Sequence, residues 1–330
     1  MHGGSYLYLV HRIGLAKQAY DCFKNKLPEI PLTMMGAGNK RIPQSGILVG
    51  TIQTMHNCLE HRRAETLGFL EKCDAVFVDE LHVNKAYLVT EIMSQCSAPM
   101  RIGLSGTISR QNKIKYMHYR GLCGPILAET KNKELVEKGR SAKPIIRFIK
   151  ITEPEVGGSY GEAYRLGITS HSERNRLIVK ETGRYLDKGK RVLITVARKA
   201  HGFELLRRLR IAYDVPAAFI LGSTSLYLRE QAAQSFRNSR VPILIVSPIG
   251  DVGWDLPEID AWINAAAGKG WELVIQRLGR TLRRKEKDNR VFITDFIDAH
   301  EPRYLLKHSR RRLKYYKAEN IAKIKIMEDE

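Results

Sequence analysis

The sequence predicts an α/β protein built as two mostly parallel-sheet domains. Short apolar, β-branched runs alternate with amphipathic helical segments along the chain, a Lys- and Pro-rich interruption near residue 140 divides that alternation in two, and one run, Val76-Phe77-Val78, ends abruptly in Asp79-Glu80-Leu81-His82. A strand buried on both faces that delivers acids at its carboxyl end is how open α/β sheets present charge to a ligand crevice. With 330 residues and 43% hydrophobic content, the chain can bury a sizeable core.

Taken in order, Tyr6 to Val10 reads as the first strand and Gly14 to Phe23 as a helix with Leu15, Ala19 and Phe23 on one face. Residues 24 to 31 and Gly36-Ala37-Gly38-Asn39 read as loop, Gly46 to Thr51 as a second strand, and Glu60 to Glu71 as a helix. The acid-bearing run is the third strand, and Met100 to Thr107 the fourth. A linker is expected around Lys131 to Lys143, with Ile145 to Ile151 the first strand beyond it. Further strands are expected at Arg191 to Val196, Pro216 to Leu221, Val241 to Val246, Ala261 to Ala265 and Val291 to Phe296. Helices are expected at His171 to Leu186, His201 to Arg210 and Leu226 to Phe236. The resulting domains are 1–142 and 143–300, followed by a basic helical tail, 301–330.

Composition narrows the partners. The 55 Lys and Arg against 35 Asp and Glu give a net charge of +20, which favours polyanions, nucleic acid first, although a solubility surplus has the same appearance. Five widely spaced cysteines with no Cys-x-x-Cys pair argue against a disulfide framework and a structural zinc site. No apolar stretch reaches the roughly 18 residues of a membrane span. The expectation is a cytoplasmic protein with no membrane partner.

The chemistry lies in small constellations. Asp79 is placed to hold Mg²⁺, which takes one or two carboxylates plus phosphate oxygens, and Glu80 to orient or deprotonate an attacking water. Ser105-Gly106-Thr107 brings hydroxyls to the end of the next strand, though the same tripeptide is a common turn. In the second half, Gly253-Trp254-Asp255-Leu256-Pro257 follows a buried strand, and Gln276-Arg277-Leu278-Gly279-Arg280-Thr281-Leu282-Arg283 comes later. Arg280 and Arg283 have the spacing of one helical turn and would point to one side. Arginines offered to a phosphoryl group are worth about 10³- to 10⁵-fold in rate. The tail interleaves Arg310-Arg311-Arg312 with Tyr304, Tyr315 and Tyr316, a pattern able to track a backbone and stack on bases, or simply a solvated helix.

Together these stretches resemble a superfamily 2 nucleic-acid helicase of the DEAD/DEAH-box type, of bacterial or phage DNA-helicase flavour. Asp79-Glu80-Leu81-His82 resembles the Asp-Glu-x-His box, Ser105-Gly106-Thr107 the coupling motif, and Gln276 to Arg283 the Gln-Arg-x-Gly-Arg-x-x-Arg motif. The resemblance implies two RecA-like domains, ATP and Mg²⁺ as cofactors, nucleic acid (DNA favoured over RNA) as partner, and helicase or translocase activity. It further implies Glu80, Gln276, Arg280 and Arg283 as catalytic residues, and Asp79, His82, Gly253 and Asp255 as nucleotide-binding residues with Asp79 at the metal. Ser105 and Thr107 would couple, and His11, Arg12, Thr51, Gln53 and Arg198 would touch nucleic acid.

The family's phosphate-binding loop, Gly-x-x-x-x-Gly-Lys followed by Ser or Thr, should precede the strand at Tyr6 and is missing from these 330 residues, as is the adenine-reading glutamine segment. The first domain is therefore expected to be N-terminally incomplete, the chain being a truncated helicase or one piece of a split one whose loop sits on a separate polypeptide. In RecA-like sheets the strand feeding that loop is expected beside the acid-bearing strand, so its loss would leave unpaired ladder groups next to Val76 to Val78. The alternative is a catalytically inactive nucleic-acid-binding module derived from a helicase.

Overall fold

The computed structural model describes residues 3–82, 86–106, 108, 112–152, 158–247, 258–268, 281–285, 288–299 and 304–328. The chain forms two compact units, Met1–Glu129 and Thr130–Glu330.

In the first unit, β1 (Ser5–Val10), β2 (Leu32–Met35), β3 (Gly46–Thr51), β4 (Cys73–Val78) and β5 (Met100–Gly103) make one sheet in the order β2-β3-β1-β4-β5, every pair parallel. Period-two alternation assigns the faces. Leu7, Leu9, Leu48, Val76 and Val78 pack under α2 (Ile52–His61), α3 (Arg63–Glu71) and α4 (Ala86–Ser94), while Tyr6, Tyr8, Val10, Ile47 and Val49 face α1 (Ile13–Lys26). With both faces covered, β3 has every residue buried, as its uninterrupted apolar run requires. A further helix, α5 (Lys113–Cys123), packs along β5.

Two expectations need correction here. The acid-bearing strand is not left bare: β1 pairs with it on one side (Leu7 with Val76, Leu9 with Val78) and β5 on the other (Val76 with Arg101, Val78 with Gly103). The sheet edge on that side, among the described residues, is β5. The expected single helix from Glu60 is two helices, because Thr51 caps α2 by accepting the Thr54 N–H and the chain breaks at Arg62 before α3.

The second unit opens with α6 (Asn132–Glu137), so the stretch read as a linker is partly helical. Its Val136 packs on the second core, and Asn132 donates a hydrogen bond to Glu319. The sheet comprises β6 (Lys143–Ile151), β7 (Val192–Thr195), β8 (Ala217–Ile220), β9 (Ile243–Val246), β10 (Ala261–Asn264), β11 (Arg290–Asp298) and β12 (Ile324–Met327). The order is β12-β6-β11-β10-β7-β9-β8, again wholly parallel. Between strands run α7 (Tyr160–Tyr164) with a π-helical turn at Arg165–Thr169, α8 (Ser172–Leu186), α9 (Lys199–Ala212), α10 (Leu226–Arg237) and α11 (Tyr304–Glu319).

The terminal segment is part of this unit. Leu305, Ser309, Arg312 and Tyr316 form the buried stripe of α11, and β12, read from sequence as more helix, adds a strand beside β6. Arg312 is fully buried and reaches Asp295 with two guanidinium nitrogens (3.0 and 3.1 Å), the Phe296 carbonyl (3.0 Å) and the Gly268 carbonyl (2.9 Å). Burial works against its charge, but Asp295 and Asp298 outweigh that and hold its pKa above the usual guanidinium range. Arg174 repeats the arrangement on α8, with Asp298 at 2.9 Å, the Ala265 carbonyl at 3.0 Å and the Phe296 ring beneath it. Arg312 and Tyr316 are therefore core residues, unavailable to a nucleic acid.

Among the described residues no helix is long and apolar enough to cross a membrane, and all five cysteines are free.

Arg312→Ala should lower the stability of the second unit by roughly 3–5 kcal/mol in denaturant unfolding, because it strands a buried carboxylate. Arg310→Ala and Arg311→Ala, at exposed positions, should stay within about 0.5 kcal/mol. A second expectation concerns pH. Burial, aided by the adjacent Arg174, pushes His201 down to about 3, and its Nε2 bonds the Asn175 side-chain oxygen at 2.8 Å. A depressed folded-state pKa gives stability that is full above the ordinary value of 6.5 and is lost as pH falls from there toward about 3. Unfolding of His201→Gln followed over that range should show a flatter pH dependence than the parent.

Candidate functional site

Because all the strands of the first sheet run one way, their carboxyl ends collect the polar residues picked out by sequence. His11 and Arg12 follow β1, Thr51 ends β3, Asp79 follows β4 and Ser105 follows β5. The turn after β4 is laced to both neighbours. The Asp79 N–H donates to the Leu9 carbonyl (2.8 Å), the Leu104 N–H to the Val78 carbonyl (2.9 Å), and the Leu81 N–H back to the Leu104 carbonyl (3.0 Å).

Within that frame Glu80 takes a left-handed backbone (φ 48°), a conformation disfavoured for a side chain this long, and its N–H bonds the Asp79 carboxylate at 2.9 Å. Such strain persists only where the surroundings over-determine it. The Glu80 carboxylate lies 3.5 Å from His82 Nδ1, which shares a 2.6 Å hydrogen bond with Ser105 Oγ. An acid, an imidazole and a hydroxyl thus run from the end of β4 to the end of β5.

Sequence reasoning missed Tyr8. It lies on β1 opposite Phe77 in the ladder, and its hydroxyl is hydrogen-bonded to Asp79. Burial first, then the Asp79 carboxylate, push its phenol up to about 12, so it stays protonated at neutral pH and donates a hydrogen bond to Asp79. The only signal would have been the β1–β4 pairing, a long-range contact that periodicity does not report.

The residues read as nucleic-acid contacts occupy varied settings. Arg12 is exposed at the start of α1 and Gln53 is exposed on α2, where its amide donates to Asn57 (3.0 Å). Thr51 is buried, with its hydroxyl already engaged as the α2 cap. In the second unit Arg198 is exposed where α9 begins, after β7, with its guanidinium 5.8 Å from the Tyr164 ring centroid.

Thr107, Gly253, Asp255, Gln276 and Arg280 lie outside the described residues. Arg283 is described and departs from the helical-turn reading. Thr281 is helical, but Arg283 has left the helix and forms an antiparallel bridge with Ser141, just before β6. That places it at the amino-terminal edge of the second sheet, opposite the edge that carries Arg198. The segment around it is anchored by the Ala142 N–H donating to the Leu282 carbonyl (2.8 Å) and by buried Lys285, 3.2 Å from Asp260.

Among the described residues no three His, Cys, Asp or Glu side chains converge. An acid pair at the carboxyl end of an interior strand suits Mg²⁺, which keeps water and takes its other ligands from phosphate.

Residues 2–110 match the family described as Type III restriction enzyme, res subunit, and residues 173–285 match the Helicase conserved C-terminal domain. IRC3 of Saccharomyces cerevisiae is 26% identical over 315 residues, 89% of this chain and 43% of its own length. The General transcription and DNA repair factor IIH helicase/translocase subunit XPB/SSL2 of the same yeast is 26% identical over 264 residues, 76% of this chain and 30% of its own. The chain thus spans less than half the length of these relatives. The solved structure of S. cerevisiae Dbp5 bound to RNA and ADP BeF3 superposes with a TM-score of 0.66 at 16% identity, covering 99% of this chain and 78% of that one. At that identity the likeness concerns the fold, two parallel-sheet RecA-like domains. Two family matches, each confined to one parallel-sheet unit and arranged along the chain in the order of the units, identify the protein as a member of the superfamily 2 helicases.

Proposed function

We propose that this chain is the motor portion of an ATP-dependent nucleic-acid helicase or translocase, with DNA favoured over RNA. The observation that carries the reading is the Asp79-Glu80 pair at the carboxyl end of β4, tied through His82 to Ser105 at the end of β5. Relatives named as subunits of a transcription and DNA repair factor lend support to DNA.

In this reading Asp79 would hold Mg²⁺, which would supply charge neutralisation to the phosphates when bound with ATP. Tyr8 fixes the Asp79 carboxylate by donating a hydrogen bond to it. Glu80, held in place by its strained backbone, orients the attacking water and accepts its proton. His82 and Ser105 transmit a shift at the acids to the end of the neighbouring strand. Arg280 supplies positive charge to the transferring phosphoryl group, with Gln276 beside it in the catalytic set, while Gly253 and Asp255 line the nucleotide. His11, Arg12, Thr51, Gln53 and Arg198 meet the nucleic-acid backbone, whose phosphates dominate affinity.

The phosphate cradle has to come from a segment other than the 330 residues here, whether joined to this chain or on a separate polypeptide. The edge of β5 away from β4, unpaired among the described residues, is where we place its strand. With the Leu104 N–H turned to β4, backbone alternation points the N–H groups of Arg101 and Gly103 away from β4. Beside them lies a cavity of about 290 Å³ lined by Leu104, Ser105, Tyr116, Tyr119, Cys123 and Leu127 among others, with Met100 and Leu127 strongly exposed. A parallel strand added there would end beside Ser105, within the same row of strand ends as the acids. The second reading, an inactive nucleic-acid-binding module, is favoured by the missing cradle alone.

Glu80→Gln should lower nucleic-acid-stimulated ATP hydrolysis by about 10²- to 10⁴-fold, with nucleic-acid binding little changed. Equal hydrolysis by parent and variant would remove Glu80 from the mechanism. Binding without hydrolysis, even when a glycine-lysine loop segment is supplied, would favour the inactive module. Supplying that segment should also slow hydrogen exchange at the Arg101 and Gly103 amides; protection at β2 instead would move the docking edge to the other side of the sheet.

A further inference from the structure

Three connections leaving the carboxyl edge of the second sheet bring aromatic rings together. Tyr160 opens α7 after β6, Arg198 precedes α9 after β7, and Tyr304 opens α11 after β11. The Tyr160 ring lies 5.3 Å from His308 and 6.4 Å from Tyr304, both edge-on, and 6.1 Å from Tyr164. Tyr164 is the buried anchor of the group, its hydroxyl donating to the Ala266 carbonyl at 2.6 Å and its ring lying under Arg198. Tyr160 and Tyr304, in contrast, are 44% and 47% exposed.

The exposed side of α11 continues the pattern. Tyr304, His308 and Arg311 recur at intervals of four and three, one position ahead of the buried Leu305, Ser309 and Arg312, and so share a neighbouring stripe. Lys307, Arg311 and Lys314 are exposed on that helix, and Arg198 and Lys199 lie exposed at the start of α9. Packing accounts for Tyr164. It does not account for two tyrosine rings left half in water among cations, in a chain of net charge +20.

We propose that Tyr160, Tyr304 and His308 form a base-stacking surface for single-stranded nucleic acid, with Arg198, Lys307 and Arg311 taking its phosphates. The proposal rests on the nucleic-acid reading above and adds to it a surface that reads bases as flat π-faces, independent of their sequence. It relocates the contact expected of the tail: Tyr316 and Arg312 are core, and the stacking partner of α11 is α7.

The test uses the whole chain and two single-stranded DNA oligomers of equal length, one of deoxyadenosine and one abasic. The deoxyadenosine oligomer should bind more tightly than the abasic one. Tyr160→Leu and Tyr304→Leu, which keep apolar bulk but lose the ring, should each weaken binding of the deoxyadenosine oligomer by roughly 5- to 100-fold. The slope of affinity against salt should not change, since no phosphate contact is lost. Tyr160→Phe and Tyr304→Phe should restore affinity, and the abasic oligomer should not distinguish the variants. If the parent chain binds neither oligomer, the nucleic-acid reading itself fails. If it binds both equally, or if the leucine variants bind like the parent, the stacking surface is overturned while that reading stands.

Discussion

All described strands in each sheet run in one direction, and that single constraint organises the molecule. Parallel strands need helices to return the chain, so both faces are covered and the sheets become continuous apolar runs. What remains exposed is a row of carboxyl ends and the turns that follow them. In the first unit that row receives His11, Thr51, Asp79 and Ser105 from four strands distant in sequence. In the second it receives Arg198, α7 and the start of α11. The chemistry is spread along the chain because each βα connection contributes one piece of it.

The second unit meets a different demand, that of anchoring a strongly basic terminal helix. An amphipathic helix would ordinarily dock through apolar residues alone. Here Leu305 and Tyr316 do so, but between them Arg312 enters the core and is matched by Asp295 and Asp298 from β11, the same strand whose Asp298 also holds Arg174 from α8. A buried ion pair adds little net stability over an apolar core, but it penalises misplacement severely, because a slipped register leaves charge without a partner. The network therefore fixes α11 in one place against β11, and with it the outward stripe that begins at Tyr304.

Local pattern made much of this legible. Apolar runs located most of the strands, and the residue types at their ends located the acids, the hydroxyls and Arg198. Where the sequence misled, the deciding information was long-range. Tyr8 looks like any residue of a buried strand until β1 is placed beside β4. Arg312 is indistinguishable in sequence from Arg310 and Arg311, and only its position on the helix face makes it a core residue. The four-residue β2, lying at a sheet edge, was too short and too weakly patterned to stand out. The basic segment from Asn132 resembled a linker because its packing residues, Val136 and Ala142, carry too little signal against the polar and charged side chains around them.

Glu80 carries a consequence of its own. A non-glycine residue in the left-handed region bears a cost of about 1–2 kcal/mol, and at this position that cost falls on one of the two adjacent acids. A search for sturdier versions of this protein, blind to activity, would thus be drawn to glycine at position 80 and would remove the carboxylate along with the strain. On the proposed reading, the residue that strains the turn is also the one that would meet the attacking water, so hardening the fold and retaining that chemistry would pull against each other at this residue.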